Sequence, residues 1–257
     1  MTKSLPPLDL HAHVSPKIST ADLERLGAVV FAATRTLDEY KSVKSRKDQV
    51  TIWGVGCHPG ITEAQNAYEP SKFAELISSS AYVSEVGLDG RSRVSIADQD
   101  RVFRSILTQL QETPRILSVH SAGAAGRTID ALEAVRVKGV VLHWWRGTEA
   151  QTKRALDLGC RFSVNAANMQ RANELAMIPL DRLLVETDHP SGNRHSSSPR
   201  QPGAIAEVEI ALAMLHGTTA ENIRQQTWVN FSYLVDEVKV LSMLPKAVRN
   251  MIAAAQN

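Results

Sequence analysis

Residues 8–14 read Leu-Asp-Leu-His-Ala-His-Val. The run is short and rich in strand-forming residues, with its two histidines two positions apart. Extended chain repeats every two residues, so His11 and His13 point to the same side and can converge on one ion. Polar side chains are costly to bury along a strand but are usable where the strand ends.

Seven further segments follow the same plan. Ala28 to Thr34, Thr51 to Cys57, Tyr82 to Val86, Ile116 to His120, Val140 to His143, Arg161 to Val164 and Leu183 to Thr187 all read as strands. Between them lie segments of helical period: Ala21 to Leu26, Ser71 to Ser79, Gln99 to Leu110, Thr128 to Val135, Ala150 to Leu158 and Gln170 to Leu175, with two more after the last strand. Eight strand-helix alternations in 257 residues, without a change of composition, predict one (β/α)8 TIM barrel spanning residues 1–257. In such barrels the active site gathers at the C-terminal ends of the strands.

Composition narrows the function. The 29 Lys and Arg against 27 Asp and Glu give a net charge of +2, which excludes a polybasic nucleic-acid-coating protein and an acidic disordered tail. Hydrophobic residues at 43% suffice for a core. Cys57 and Cys160 are too few and too far apart for a disulfide framework or a cysteine-rich zinc site, which fits a reducing compartment. Cys57 reads as a buried, inert thiol. The start MTKSLPPLDLHAH carries no apolar signal stretch, and the run Ala28 to Ala33 is far shorter than the roughly 20 residues of a membrane span. A soluble, cytoplasmic protein is expected.

The polar residues fall at strand ends: His11 and His13, His58 in GCHP, Glu85 in SEVGLDG, His120 in LSVHS, His143 in VLHWW and Asp188 in VETDHP. Six of them, His11, His13, Glu85, His120, His143 and Asp188, form a candidate metal-ligand set that core packing does not explain. Imidazole and carboxylate donors suit zinc, manganese, iron or magnesium, and Glu85 can bridge two ions. Two ions can hold an attacking water and a phosphodiester, and Asp188 is placed to take the water's proton.

These motifs resemble the TatD-type metal-dependent hydrolases and deoxyribonucleases of the wider amidohydrolase-like barrel group. The resemblance runs through DLHAH, GCHPG, EVGLDG, His120, HWWRG and ETDHP to WVNF near the C-terminus. It implies that His11, His13, Glu85 and Asp188 surround one metal, and Glu85, His120 and His143 a second, with His58 facing the scissile phosphate. It also implies a nucleic-acid substrate, where the ligands alone imply only a hydrolase. Two departures stand out. Ala122 occupies a position two after the fifth-strand histidine where the family commonly has a basic residue, and Trp145 replaces the usual Phe. HSAGAAG, LHWW and ETDHP resemble the TatD-like branch of bacterial anti-phage systems of the Qat type, which implies protein partners.

Loops after the strands carry Lys17, Arg35, Arg91, Arg93, Arg146, Arg194 and Arg200, which favours an anionic substrate. Among these Arg91, Arg146 and Arg194, with His58 and Trp145, are expected to contact it. Strand alternation prevents Trp144 and Trp145 from both pointing inward: one packs in the core while the other can stack a base. The run Lys41, Lys44, Arg46 and Lys47 precedes the third strand and reads as solvated surface on the opposite face. The segment His189 to Gly203 reads as a mobile rim over the mouth. A deaminase or amide hydrolase would share His-x-His and the terminal Asp, but Glu85 stands where such enzymes often use a modified Lys. A third reading is a defence-complex subunit whose barrel mainly binds partners.

Overall fold

The structure is a computed structural model that describes residues 5–197 and 199–256. All eight predicted strands form. The first three, β1 (Leu8–Ala12), β2 (Val29–Ala33) and β3 (Thr51–Gly54), make one parallel sheet; β4 (Tyr82–Gly87), β5 (Ile116–His120), β6 (Val140–Leu142), β7 (Arg161–Val164) and β8 (Leu183–Val185) make a second. The sheets meet through the parallel bridge Val55–Val83, where Val55 N donates to Tyr82 O and Ser84 N to Val55 O, both at 3.0 Å. On the other side Asp188 N donates to His11 O at 2.8 Å and His13 N to His189 O at 2.9 Å, which joins β1 to the end of β8. The result is a closed eight-stranded barrel with helices outside.

Alternation along each strand divides the apolar residues between two clusters. Val29 and Phe31 of β2 join Leu10, Tyr82 and Leu184, while Val30 and Ala32 join residues of the outer helices. The inner cluster continues into α10 (Ala220–Val238), whose Trp228 and Phe231 close the N-terminal end of the barrel. Trp228 Nε1 donates to Pro6 O at 2.8 Å, and the Phe31 and Phe231 rings meet edge to face at 5.3 Å. Asn230, within WVNF, donates to the carbonyls of Leu180 and Leu183 at 2.8 and 2.7 Å, fixing this helix to the entrance of β8. With that end sealed, the C-terminal mouth is left for chemistry.

The helices differ from expectation chiefly at their starts. The outer layer contains α1 (Thr20–Arg25), α2 (Leu37–Val43), α3 (Thr62–Asn66), α4 (Pro70–Ile77), α5 (Ile96–Glu112), α6 (Ala125–Ala134), α7 (Glu149–Asp157) and α8 (Ala172–Leu175). Helix α5 starts three residues before the predicted Gln99 because Ser95 accepts a hydrogen bond from Asp98 N at 3.1 Å, an N-cap ahead of the apolar period. The first two residues of the predicted helix Gln170 to Leu175 are instead the end of a 3-10 turn at Ala166–Arg171, and the remaining four form the single turn of α8. After β8 come α9 (Ala206–His216), α10 and α11 (Lys246–Ala255), three helices rather than two. Among the described residues, no helix is long and apolar enough to cross a membrane.

The described residues of 189–203 contain neither helix nor strand, as expected, but several contacts tie the segment down. Gly203 N donates to the buried carboxylate of Asp9 at 2.8 Å, and Ser197 N donates to Glu207 at 3.0 Å. Asp9 also accepts from Thr187 N at 2.8 Å and Thr187 Oγ1 at 2.6 Å, so one carboxylate pins β1, the end of β8 and the rim together. Burial pushes this carboxyl up to about 6, against the hydrogen bonds from Thr187 and Gly203.

Candidate metal centre

The eight strands end at the mouth in a cluster built around Glu85. Its carboxylate is buried, and five imidazoles surround it. His143 Nε2 lies 2.8 Å from Oε1, where His120 Nδ1 is also in hydrogen-bond contact. His13 Nε2 lies 3.2 Å from Oε2, His58 Nε2 3.4 Å and His11 Nε2 3.8 Å. Asp188 Oδ1 lies 3.8 Å from His11 Nε2 and 3.9 Å from His13 Nε2. All seven residues singled out at strand ends therefore meet in one place. Three groupings have donor atoms close enough for a shared cation: His11, His143 and Asp188; His11, His13 and Glu85; and His58, Glu85 and His120.

Hydrogen bonds behind the rings set their tautomers. His13 Nδ1 donates to the Ala33 carbonyl at 3.2 Å, which turns the Nε2 lone pair towards the centre. His11 Nδ1 lies 2.8 Å from Ser118 Oγ, while its Nε2 is buried with no hydrogen-bond partner. Burial pushes His11 well below the ordinary imidazole range, with His143 adding to this and Glu85 opposing it. That keeps His11 neutral with a free lone pair. His58 is the opposite case. Gly60 N donates to His58 Nδ1 at 2.9 Å, so the neutral ring carries its proton on Nε2 and presents a donor rather than a ligand. Burial also lowers His58, against the charge of Glu85.

The remaining groups respond to Glu85 as a hub. Burial favours its neutral form, yet the charges of His58, His120 and His143 hold it well below the usual carboxylate range. Burial lowers His120, but Glu85 and the hydrogen bond to Asp89 raise it to about 9; His143 is raised by Glu85 and Glu186 in the same way. Burial pushes the Asp188 carboxyl up to about 7, with His143 opposing and Glu186 reinforcing. The buried lone His11 Nε2 and an unsatisfied Glu85 Oε2 would each be costly without a partner, and a divalent cation satisfies both. The imidazole and carboxylate donors fit zinc, manganese or magnesium.

Two residues at this mouth, Trp144 and Asp188, have positive φ angles of 41° and 42°. Side-chain-bearing residues hold this conformation at a cost when the surroundings impose it. At Trp144 the constraint is visible, since its N–H donates to Glu186 Oε1 at 2.9 Å. Glu186 is fully buried and also accepts from Asn165 Nδ2 at 3.0 Å and from Ser163 Oγ. Sequence reasoning gave no role to Glu186 or to Asp89, whose Oδ2 lies 3.4 Å from His120 Nε2. Both sit inside the quoted motifs, in ETDHP and GLDG, and only the fold shows which way they face.

Beside the cluster lies a cavity of about 550 Å³, walled on one side by His120 and His143. Arg91, Arg146 and Trp144 line it, as do Arg127 and Arg171, which sequence reasoning did not single out. Trp145 must be corrected as an expected substrate contact. It is buried, packs on Phe162 at 5.8 Å between ring centres and donates from Nε1 to Thr152 Oγ1 at 2.8 Å. Past the end of β6 the positive φ at Trp144 turns that ring to the cavity and leaves Trp145 in the core. Arg194 is exposed on the rim and is not among the residues lining this cavity.

The cavity also accounts for Ala122. Its carbonyl accepts from Gly90 N at 2.8 Å, so the loops after β4 and β5 touch. A Cβ on Gly90 would come within 2.4 Å of the Gly123 carbonyl oxygen, and one on Gly123 within 3.3 Å of Arg91 Cγ. Arg91, from the neighbouring loop, thus lies against the loop that carries Ala122. Lys41, Lys44 and Lys47 are exposed as expected, whereas Arg46 is half-buried, bonded to the buried Asp48 at 2.6 Å and lying over the Trp53 ring.

The sequence pattern of the family described as TatD related DNase matches residues 8–236. Among curated proteins, the chain is 27% identical over 241 residues to the uncharacterized metal-dependent hydrolase YcfH of Escherichia coli K12, covering 88% of this chain and 89% of that one. It is 25% identical over 224 residues to the 3'-5' ssDNA/RNA exonuclease TatD of Erwinia amylovora, covering 80% and 86%. The fold superposes on the crystal structure of YJJV, a TatD homolog from Escherichia coli K12, with a TM-score of 0.76 at 20% identity, covering 88% of this chain and 96% of that one.

Proposed function

The chain belongs to the TatD related DNase family of metal-dependent hydrolases, and from that premise we propose that it is a deoxyribonuclease that trims single strands or ends. The observation that carries this reading is the Glu85 hub opening onto a cavity walled by arginines. We assign one divalent ion to His11, His13, Glu85 and Asp188 and a second to Glu85, His120 and His143, with zinc, manganese or magnesium as candidates. Such ions supply Lewis acidity to a phosphoryl oxygen and make water a better nucleophile at neutral pH.

The protein's own groups supply positioning and proton transfer. Asp188, beside His11 and His13, accepts the proton of the attacking water at a carboxylate oxygen. His58 donates its Nε2 proton in a hydrogen bond to a non-bridging phosphate oxygen, as its Gly60 contact requires. Arg146 counters the charge of the scissile phosphate from the cavity wall, and Trp144 offers a stacking face. The name of the Erwinia relative supports a nucleic-acid substrate. A cytoplasmic setting and protein partners of the Qat type belong to the same proposal.

The test is cleavage of end-labelled single-stranded DNA by chelator-treated protein with magnesium, manganese or zinc restored, run beside Glu85→Ala. Metal-dependent cleavage that is lost in the variant, together with loss of bound metal by elemental analysis, is expected. Full activity of Glu85→Ala would overturn the bridged site, and metal binding without cleavage would redirect the search to small-molecule esters or to a partner-dependent activity.

A further inference from the structure

The cavity beside the metal cluster has more charge than one scissile phosphate requires. Arg91, Arg127 and Arg146 line it, and none of them has an ion-pair partner among the described residues. Arg171 also lines it, but its Nε is engaged with Glu174 at 2.7 Å. Among the described residues, no carboxylate lines the cavity. By contrast Arg154 pairs with Asp130 and Glu133, and Arg104 with Asp100. Guanidinium groups gathered without counter-charge around one concavity raise the local concentration of anions.

Two further observations point the same way. The ten-residue helix α6 starts at the cavity, with Ala125 and Gly126 in its wall, and no side chain caps it. Its positive end therefore adds to the arginines rather than being satisfied internally. Trp144 Nε1 is buried without a hydrogen-bond partner although its ring lines the same space. At about 550 Å³ the cavity has room for one nucleotide unit and lies within the range of small-molecule sites.

We infer that this cavity is a subsite for a second phosphate group, one nucleotide away from the bond that is cleaved, with Arg127 and Arg91 as its principal contacts. The inference rests on the phosphodiesterase reading and extends it. The metal cluster holds the scissile phosphate, the base of the intervening nucleotide lies against Trp144, and the next phosphate meets the guanidinium wall. That phosphate is either a chain-terminal monoester or the next internal phosphodiester.

Two measurements test this. In the first, calorimetric titration of the chelator-treated full chain with thymidine 5′-monophosphate, thymidine 3′-monophosphate and thymidine reads the subsite without catalysis. At least one monophosphate should bind 10-fold or more tightly than thymidine, and Arg127→Ala and Arg91→Ala should each abolish that advantage. Equal binding of nucleoside and nucleotides, or an advantage that survives both substitutions, overturns the inference. In the second, metal-loaded enzyme is given the dinucleoside phosphate TpT, its end-phosphorylated forms pTpT and TpTp, and the trimer TpTpT. A second phosphate should raise kcat/KM at least 10-fold over TpT, and the ratio should fall towards one in Arg127→Ala. A gain confined to pTpT or TpTp identifies a terminal monoester, and an equal gain with TpTpT identifies an internal phosphate. No gain from any second phosphate overturns the subsite. Failure to cleave every substrate counts instead against the phosphodiesterase reading, and the binding titration still decides the subsite.

Discussion

Trp144 and Trp145 are adjacent in sequence, yet substituting them should produce opposite phenotypes. Trp145 is 4% exposed, and a buried indole removes roughly 150–250 Å² from water, worth about 4–6 kcal/mol at 25 cal/mol per Å². Large-to-small core substitutions of Trp typically cost about 3–5 kcal/mol after partial relaxation. The lost hydrogen bond adds little, because Thr152 Oγ1 keeps its donor role to the Thr148 carbonyl at 2.9 Å. In a chain of this length each kcal/mol lowers Tm by roughly 2–4 °C, so Trp145→Ala should fall by about 6–20 °C. Trp144→Ala keeps the backbone bond to Glu186, should melt within a few degrees of the native protein, and should raise KM for single-stranded DNA by about 5- to 160-fold through lost stacking of roughly 1–3 kcal/mol. Trp144→Phe should recover most of that loss. The assay is a thermal melt paired with steady-state kinetics. The reasoning is refuted if Trp145→Ala melts like the native chain while its KM rises.

Three further outcomes follow from named contacts. Gly90→Ala drives a Cβ to within 2.4 Å of the Gly123 carbonyl, separating the two loops and displacing Arg91; kcat/KM on DNA should drop at least 10-fold with little change in Tm, and unchanged kinetics would show that Arg91 does not need this packing. Asn230→Ala strips the Leu180 and Leu183 carbonyls of their shared donor and should cost about 1–3 kcal/mol by urea unfolding, with a cost near zero refuting the anchoring role. Burial, reinforced by Glu237, pushes the Cys160 thiol from 9.0 up to about 12. Above pH 9 the unfolded chain therefore releases a proton that the folded chain retains, and stability should fall by up to about 1.4 kcal/mol per pH unit, a component that Cys160→Ala removes. Identical alkaline slopes in the native protein and the variant would contradict it.

The strands were legible because a parallel barrel buries both faces of its sheet. Runs such as Val29-Val30-Phe31-Ala32-Ala33 are then apolar throughout, and polar residues can stand only at the ends. Helix starts were less legible because they depend on caps such as Ser95, one hydrogen bond outside the apolar period. The short helices α2 and α3, of seven and five residues, offer too few turns for a period to register.

At the site, residue type and parity carried the ligand candidates but not the residues behind them. His11 and His13 do converge on Glu85 as their spacing suggests, although β1 ends at Ala12 with a register shift after Asp9, whereas the choice between the two tryptophans depended on chain geometry beyond the strand. Alternation fails there because β6 ends at Leu142 and Trp144 takes a φ of 41°, held by a carboxylate from residue 186. Arg127 was invisible for a related reason: it lies in the first turn of α6, while positive charge was sought only in loops. Ala122 carries the argument further. A basic residue lost from one loop is a defect only if charge must come from that loop, and Gly90 and Gly123 let the neighbouring loop approach closely enough for Arg91 to supply it. What substrate binding constrains is the field at the phosphate, which a barrel with eight adjacent loops can assemble from several of them.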